Sequence, residues 1–252
     1  TDSADKFVVA GRGELHLSIL IEKMRREGFE IQVSKPQVIF KEIEGKKMEP
    51  MEQVTIEVPE EFAGVVIEKM GQRRGEMKDM KVENKTSYLD FVIPTRGLIG
   101  YRSQLLTDTK GLGIMNSLFL GYEDYKGDFE SNPHGSLIAF ESGESNGYGL
   151  GMAQERGQLF FGPGVQVYTG MIVGQNAKAE DLEVNICRTK KLSNMRSKGD
   201  GASLKMDVPR TLSLEDALEY IGDDELVEVT PKSIRLRKAI LDANLRKRSE
   251  KA

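Results

Sequence analysis

Between residues 49 and 130 the apolar pattern switches period repeatedly, in an order that few folds accept. Val54, Ile56 and Val58 alternate, which is the two-residue period of a strand. Pro59 breaks that strand, and Glu60 and Glu61 suit the positive end of a helix dipole. Ala63, Val66, Ile67 and Met70 then follow helical spacing as far as Gly71. Residues 76–83 and 87–93 read as two strands around an Asn84-Lys85 turn, and Pro94 closes the second. Arg96 to Thr107 reads as a helix with Leu98, Tyr101 and Leu105 on one side, and Ile114–Tyr122 as a last strand. The order βαββαβ within one short segment is the split βαβ, or ferredoxin-like, motif.

The flanks are built differently. Phe7–Ala10 reads as a strand, 14–27 as a helix with Leu17, Leu20, Ile21 and Met24 on its stripe, and Phe29–Val33 as a strand. Val38–Ile43 is a further extended stretch. A strand–helix–strand piece alone cannot cover both faces of its sheet, so residues 1–48 read as the second half of a larger unit that is mobile or needs a packing partner. Residues 131–252 carry short strands punctuated by glycine (136–140, 159–161, 166–172, 183–186). One helix there is clear: Ser213 caps it, Asp216 holds the capping-box position, and Leu214, Ala217, Leu218 and Ile221 make its stripe. Two strands follow around Thr230-Pro231-Lys232, and Ala239–Lys251 reads as helical. The fold class expected is α+β: partial and complete ferredoxin-like domains over 1–48 and 49–130, then a mostly β domain with one clear helix over 131–252.

Charge and composition remove several functions. The formal net charge is −4, which points to neither nucleic acid nor a membrane. No apolar run approaches the length of a membrane helix, and residues 1–6 do not read as a signal peptide. The chain does not begin with methionine and reads as a piece of a longer one. Cys187 is the single cysteine, so no intrachain disulfide forms, which fits a reducing compartment such as the cytoplasm. His16 and His134 are the only histidines, too few for a histidine-based metal site. No Walker-type phosphate loop is present.

The distribution of charge carries more than its sum. From 186 to 205 the basic groups are Arg188, Lys190, Lys191, Arg196, Lys198 and Lys205, against Asp200 alone. Residues 188–201 have no apolar period and read as a long loop, a kind that is usually functional or unstructured. Its bases, with Ser193, Asn194 and Ser197 among them, suit phosphate and sugar contacts. It holds no aromatic side chain, so base stacking is not expected of it. A second basic stretch runs from Lys232 to Lys251 and contains Arg235, Arg237 and Lys238; Ile234 and Leu236 face one way, Arg235 and Arg237 the other. Between them, 215–228 holds seven acids and no base, read here as a solvated helix face. Gly147, Gly149 and Gly151 lack the spacing of a dinucleotide loop and read as a tight turn. A competing reading is an enzyme domain that binds a nucleotide or small molecule at the glycine-rich 143–151 turn and the acidic 215–228 segment.

Several runs are more specific than composition. GRGELHL at 11–17, with the helix after it and KPQV at 35–38, resembles the closing half of domain III of translational GTPases such as elongation factor G. The ferredoxin-like segment resembles their domain V, with domain IV absent between the two. PTRGLIGYR at 94–102, KKLSNMR at 190–196 and DDELVEVTP at 223–231 narrow the resemblance to the BipA/TypA family, over essentially the whole chain. That resemblance implies a cytoplasmic ribosome-binding GTPase linked to large-subunit assembly and stress adaptation. It places GTP and magnesium in an N-terminal half outside these residues, so this piece is expected to be catalytically inert and to hold no cofactor or metal of its own. The partners it implies are the ribosome, large-subunit rRNA, the acceptor end of tRNA and that GTPase half, with no membrane. The RNA-contacting residues it implies are Arg188, Lys190, Lys191, Asn194, Arg196 and Lys198 in the loop, joined by Arg235, Arg237 and Lys238. Arg73, Arg74, Arg96 and Arg102 in the domain V-like segment are secondary candidates.

Overall fold

The computed structural model describes residues 6–11, 13–129, 134–189 and 206–249. The chain packs as two units, residues 36–131 and residues 1–35 with 132–252. The segment read as half of a ferredoxin-like domain is therefore divided between them. Helix α1 (Glu14–Arg26) and strand β1 (Ile31–Ser34) belong with the C-terminal residues. β1 pairs antiparallel with a strand nearly 200 residues further on, Ile31 opposite Val229 and Ser34 opposite Leu226. Residues 7–10, expected as a strand, form none, because no neighbouring strand pairs with them.

Residues 36–131 hold the predicted βαββαβ order. Strand β2 (Lys41–Ile43) forms a hairpin with the start of β3 (Lys46–Pro59). Then come α2 (Glu60–Gln72), β4 (Glu76–Glu83), β5 (Thr86–Pro94), α3 (Thr95–Leu98), α4 (Tyr101–Asp108) and β6 (Ile114–Asp124). β3 lies between β5 and β6, and β4 lies outside β5, every pair antiparallel. The alternating residues all point to the helix side: Val54, Ile56 and Val58 of β3, Leu89, Phe91 and Ile93 of β5, Met115 of β6. They meet Ala63, Val66 and Met70 of α2 and Tyr101 and Leu105 of α4. Each such large side chain contributes roughly 1.5–3 kcal/mol by leaving water. The single helix expected over 96–107 is two. Gly100 has φ +70°, a left-handed conformation that interrupts the helix and starts α4 in a new direction.

In the other unit the strands are β7 (Ser136–Ala139), β8 (Gly143–Glu144), β9 (Gly157–Leu159), β10 (Gln166–Val167), β11 (Met171–Asn176), β12 (Leu182–Val184), β13 (Glu225–Val229) and β14 (Ile234–Lys238). The main sheet runs β1-β13-β14-β11-β7-β12, with β9 also on β11; β8 and β10 pair separately. The sequence reads one clear helix here, starting at Ser213, and a helical end over Ala239–Lys251. The described residues hold three: α5 (Gly147–Gln154), α6 (Leu214–Tyr220) and α7 (Ala243–Ser249). α6 begins at the predicted Ser213–Asp216 capping box. Its Leu214, Ala217 and Leu218 share one core with Val227, Val229, Leu236 and Ile21 of α1. A second core joins Leu150 and Ala153 of α5 to Leu137, Ala139, Val173 and Ile186. α1 is tied to this unit by Ile21 and by Arg25, whose guanidinium donates to the Pro231 carbonyl at 3.2 Å. Among the described residues no helix is long and apolar enough to cross a membrane.

Candidate nucleic-acid interface

The basic loop's central residues, Lys190, Lys191, Asn194, Arg196 and Lys198, lie outside the described residues. The structure does define how the chain on either side of it is held. Before it, the Asn146 side-chain amide donates to the Cys187 carbonyl at 2.7 Å, and the Asn185 side chain accepts from the Cys187 N–H at 3.1 Å. After it, the Asp207 N–H donates to Gln154 Oε1 at 2.9 Å, and Met206 packs against the second core. Asn146 caps the start of α5 and Gln154 is its last residue, so one buried helix anchors both flanks of the loop. Arg188, the first basic residue, is exposed next to this anchor.

The glycine cluster expected as a tight turn is α5 itself. Asn146 Oδ1 accepts the Tyr148 and Gly149 N–H groups at 3.1 and 3.0 Å, as a helix N-cap does. Gly149 has another constraint. A Cβ there would stand 2.4 Å from the Ile186 carbonyl oxygen, so only glycine lets α5 lie against the strand end that leads into the loop. The signal was present in the sequence as an asparagine directly before a run containing Leu150, Met152 and Ala153. Glycine density masked it.

The second basic group divides on the two faces of β14. Arg235 is half-buried, opposite Glu228 in register. Arg237 lies on the same face and is committed internally. Nη1 approaches Glu228 at 3.4 Å, and Nε and Nη2 donate to the carbonyls of Lys238 and Ala239. Glu228 also accepts the Tyr168 hydroxyl at 2.6 Å; burial, reinforced by that carboxylate, pushes the Tyr168 hydroxyl up from its ordinary value.

Lys238 requires a correction. Its side chain is 3% exposed, and its ammonium reaches Asp181 at 2.5 Å, Asp224 at 2.9 Å and Glu225 at 2.9 Å. An ammonium has three N–H donors, and three carboxylates take them, so Lys238 offers nothing to a phosphate. The reason is the strand period: Lys238 continues the inward face of Leu236, where Arg235 and Arg237 point the other way. Desolvation pulls its proton affinity down, but Glu225 and the hydrogen bonds to Asp181, Glu225 and Asp224 outweigh this and hold it above the usual lysine value. The acidic segment is accordingly more than a solvated face. Glu225 is buried, accepting also from Ser136 Oγ at 2.7 Å and the Gly222 N–H at 2.8 Å. This network borders a cavity of about 710 Å³ whose wall also includes Arg246, paired with Glu183 at 2.6 Å. Among the described residues no group of histidine, cysteine, aspartate and glutamate is arranged to hold a metal ion.

The secondary candidates divide in the same way. Arg73 is buried, donating to the carbonyls of Gly97 and Ile99 and to Gln104 Oε1, each at 2.9 Å. It fixes the bend between α3 and α4, a structural duty that removes it from the surface. Arg96 pairs with fully buried Glu49 at 2.5 Å, donates to the Gly127 carbonyl and lies between the Tyr125 and Phe129 rings. Arg74 and Arg102 are exposed, with bonds to the backbone carbonyls of Asp128 and Met115.

Residues 46–133 match the family model described as Elongation factor G C-terminus, and residues 134–243 match TypA/BipA C-terminal domain. The chain is 50% identical over 238 residues to the Large ribosomal subunit assembly factor BipA of Synechocystis sp., covering 94% of this chain and 40% of that protein. It is 48% identical over 254 residues to the protein of that name from Escherichia coli K12, covering 100% of this chain and 42% of the relative. For the Haemophilus influenzae protein the figures are 48% over 253 residues, 100% and 41%. The chain is thus recognised as BipA/TypA C-terminal sequence: both matching models describe C-terminal domains, and the identity to BipA proteins runs over essentially the whole chain. It spans about two fifths of the length of these curated relatives.

Proposed function

We propose that this chain is the ribosome-binding portion of a GTPase that acts in assembly of the large ribosomal subunit. The reading follows the printed names of its relatives, large ribosomal subunit assembly factors. The single structural observation that supports it is the anchorage of both flanks of the basic loop on α5, through Asn146 and Gln154. A basic loop mounted on a buried helix presents its cations from a fixed base, which lowers the ordering cost of meeting a phosphate backbone. Arg188, Lys190, Lys191, Asn194, Arg196 and Lys198 carry the contact to rRNA and to the tRNA acceptor end, Arg235 extends it, and Arg74 and Arg102 form a separate, weaker contact. GTP and magnesium are bound and used by the part of the protein outside these residues, and the whole serves cytoplasmic stress adaptation through its ribosomal role.

The test is co-sedimentation of the chain with ribosomes and separated subunits across a salt series, beside a Lys190→Ala, Lys191→Ala, Arg196→Ala variant. Neutralising roughly five phosphates gives a log–log salt slope of about −0.7 to −0.9 per phosphate, and the variant lowers it by about three such contacts. An unchanged slope in the variant removes the loop from the account. Binding at no salt concentration means that ribosome affinity resides in the remainder of the protein.

A further inference from the structure

Asn146 is the one asparagine of the chain that is followed by glycine. An asparagine so placed is the chemically labile kind. Glycine has no side chain to shield its amide nitrogen, and its backbone bends freely toward the residue before it. Here the nitrogen is also open in space: a Cβ on Gly147 would meet only Met206 Sδ, at 4.0 Å. The Gly147 N–H is the first of α5, one of the groups that a helix leaves without an intrahelical partner. The Asn146 side chain, half-buried, carries both ends of the anchor described above. Oδ1 accepts from the Tyr148 and Gly149 N–H groups at 3.1 and 3.0 Å, and Nδ2 donates to the Cys187 carbonyl at 2.7 Å. Attack by the Gly147 nitrogen on Asn146 Cγ requires the amide to leave these partners.

We propose that Asn146 is a site of spontaneous deamidation, and that this one reaction releases the entering flank of the basic loop. The Gly147 nitrogen bonds to Asn146 Cγ, the Cγ–Nδ2 bond breaks, and Nδ2 leaves as ammonia with the proton that the Gly147 nitrogen gives up. Water then opens the cyclic imide at either carbonyl, giving aspartate or isoaspartate. The two products act differently. An aspartate keeps an oxygen for the Tyr148 and Gly149 N–H groups, and its charge suits a helix N-terminus. Its other oxygen stands where Nδ2 donated, so two acceptors face each other at the Cys187 carbonyl and that contact is lost. Isoaspartate adds a methylene to the main chain and forfeits the cap as well. The rate is set by how often the anchor opens, so whatever strains the seat of α5 on the Ile186 carbonyl hastens the reaction. The chemistry does not depend on what the loop binds, so a failure of ribosome binding leaves it standing.

The experiment incubates the folded chain at mildly alkaline pH and maps deamidation by peptide mass spectrometry, with isoaspartate told from aspartate by electron-transfer fragmentation. Asn146 is expected to react ahead of the chain's other asparagines. In Gly147→Ala, which the open space there accommodates, its rate falls to theirs. In Gly149→Ala, which drives a Cβ against the Ile186 carbonyl, it rises at least about fivefold. The consequence is read separately on Asn146→Asp, which trypsin cleaves after Arg188 at least about fivefold faster than the wild type. An Asn146 that reacts no faster than the other asparagines overturns the proposal, as does a rate indifferent to Gly147→Ala or to Gly149→Ala. Cleavage of Asn146→Asp at the wild-type rate overturns it too, because the loop flank is then held by something other than the amide.

Discussion

Lys238→Met probes how the C-terminal sheet is held together, and its magnitude follows from the burial of the partners. Methionine keeps the length and apolar stem of lysine and removes the ammonium. Asp181 and Asp224 are 40% and 65% exposed and turn back to water when it is gone. Glu225 cannot: it is 3% exposed, with its oxygens held by Ser136 and Gly222. Stranding one member of a buried pair costs about 3–5 kcal/mol. For a unit of roughly 150 residues, at about 2–4 °C per kcal/mol, the melting temperature falls by about 6–20 °C. Calorimetry on the purified variant measures this. Adding Glu225→Gln removes the stranded charge and restores at least about half of the loss. The pH dependence has a fixed sign. Lys238 binds its proton more tightly folded than unfolded, so its contribution is complete below the ordinary lysine value of about 10.4 and is lost as pH rises through the higher folded value. The wild type therefore loses stability above about pH 10 through this group, and the methionine variant lacks that loss. A methionine variant within about 1 kcal/mol of wild type, or a double variant no better than the single, refutes the reasoning.

Two further predictions concern the docking of α1 and the anchor of the loop. Hydrogen bonds from Arg25, then Arg26, pull the Glu22 carboxyl down to about 2, so its support of the Arg25–Pro231 contact is present above the ordinary carboxylate range and disappears as pH falls toward 2; carboxyl titration by NMR reads this, and Arg25→Gln with Arg26→Gln returns the midpoint toward 4.5. Gly149→Ala drives a Cβ to 2.4 Å from the Ile186 carbonyl and forces α5 off the strand end, with a loss of about 1–3 kcal/mol in thermal unfolding and faster proteolysis after Arg188.

What could be read from the sequence was whatever depends on neighbours in sequence. The ferredoxin-like unit was legible because each strand and helix repeats its own period and each break is marked by proline, glycine or the Asn84-Lys85 turn; Val54–Val58 and Leu89–Ile93 face the core as alternation requires. The α6 capping box was legible for the same reason, since Ser213 and Asp216 satisfy each other across three residues. Lys238 and Arg73 were misread as surface cations because their partners are remote. Asp181 is distant in sequence from Lys238, and the carbonyls that hold Arg73 belong to a bend that exists only once Gly100 has turned the chain. The alternation that placed Arg235 and Arg237 on one face already placed Lys238 on the other, with buried Leu236; that period outranks the charge, and following it one residue further separates a candidate contact from a buried ion pair. The pairing of β1 with β13 is the extreme case. No local pattern encodes a strand partner nearly 200 residues away, yet the strand–helix–strand order read over residues 1–48 already marked that segment as one that needs a packing partner, and β13 and α6 supply one.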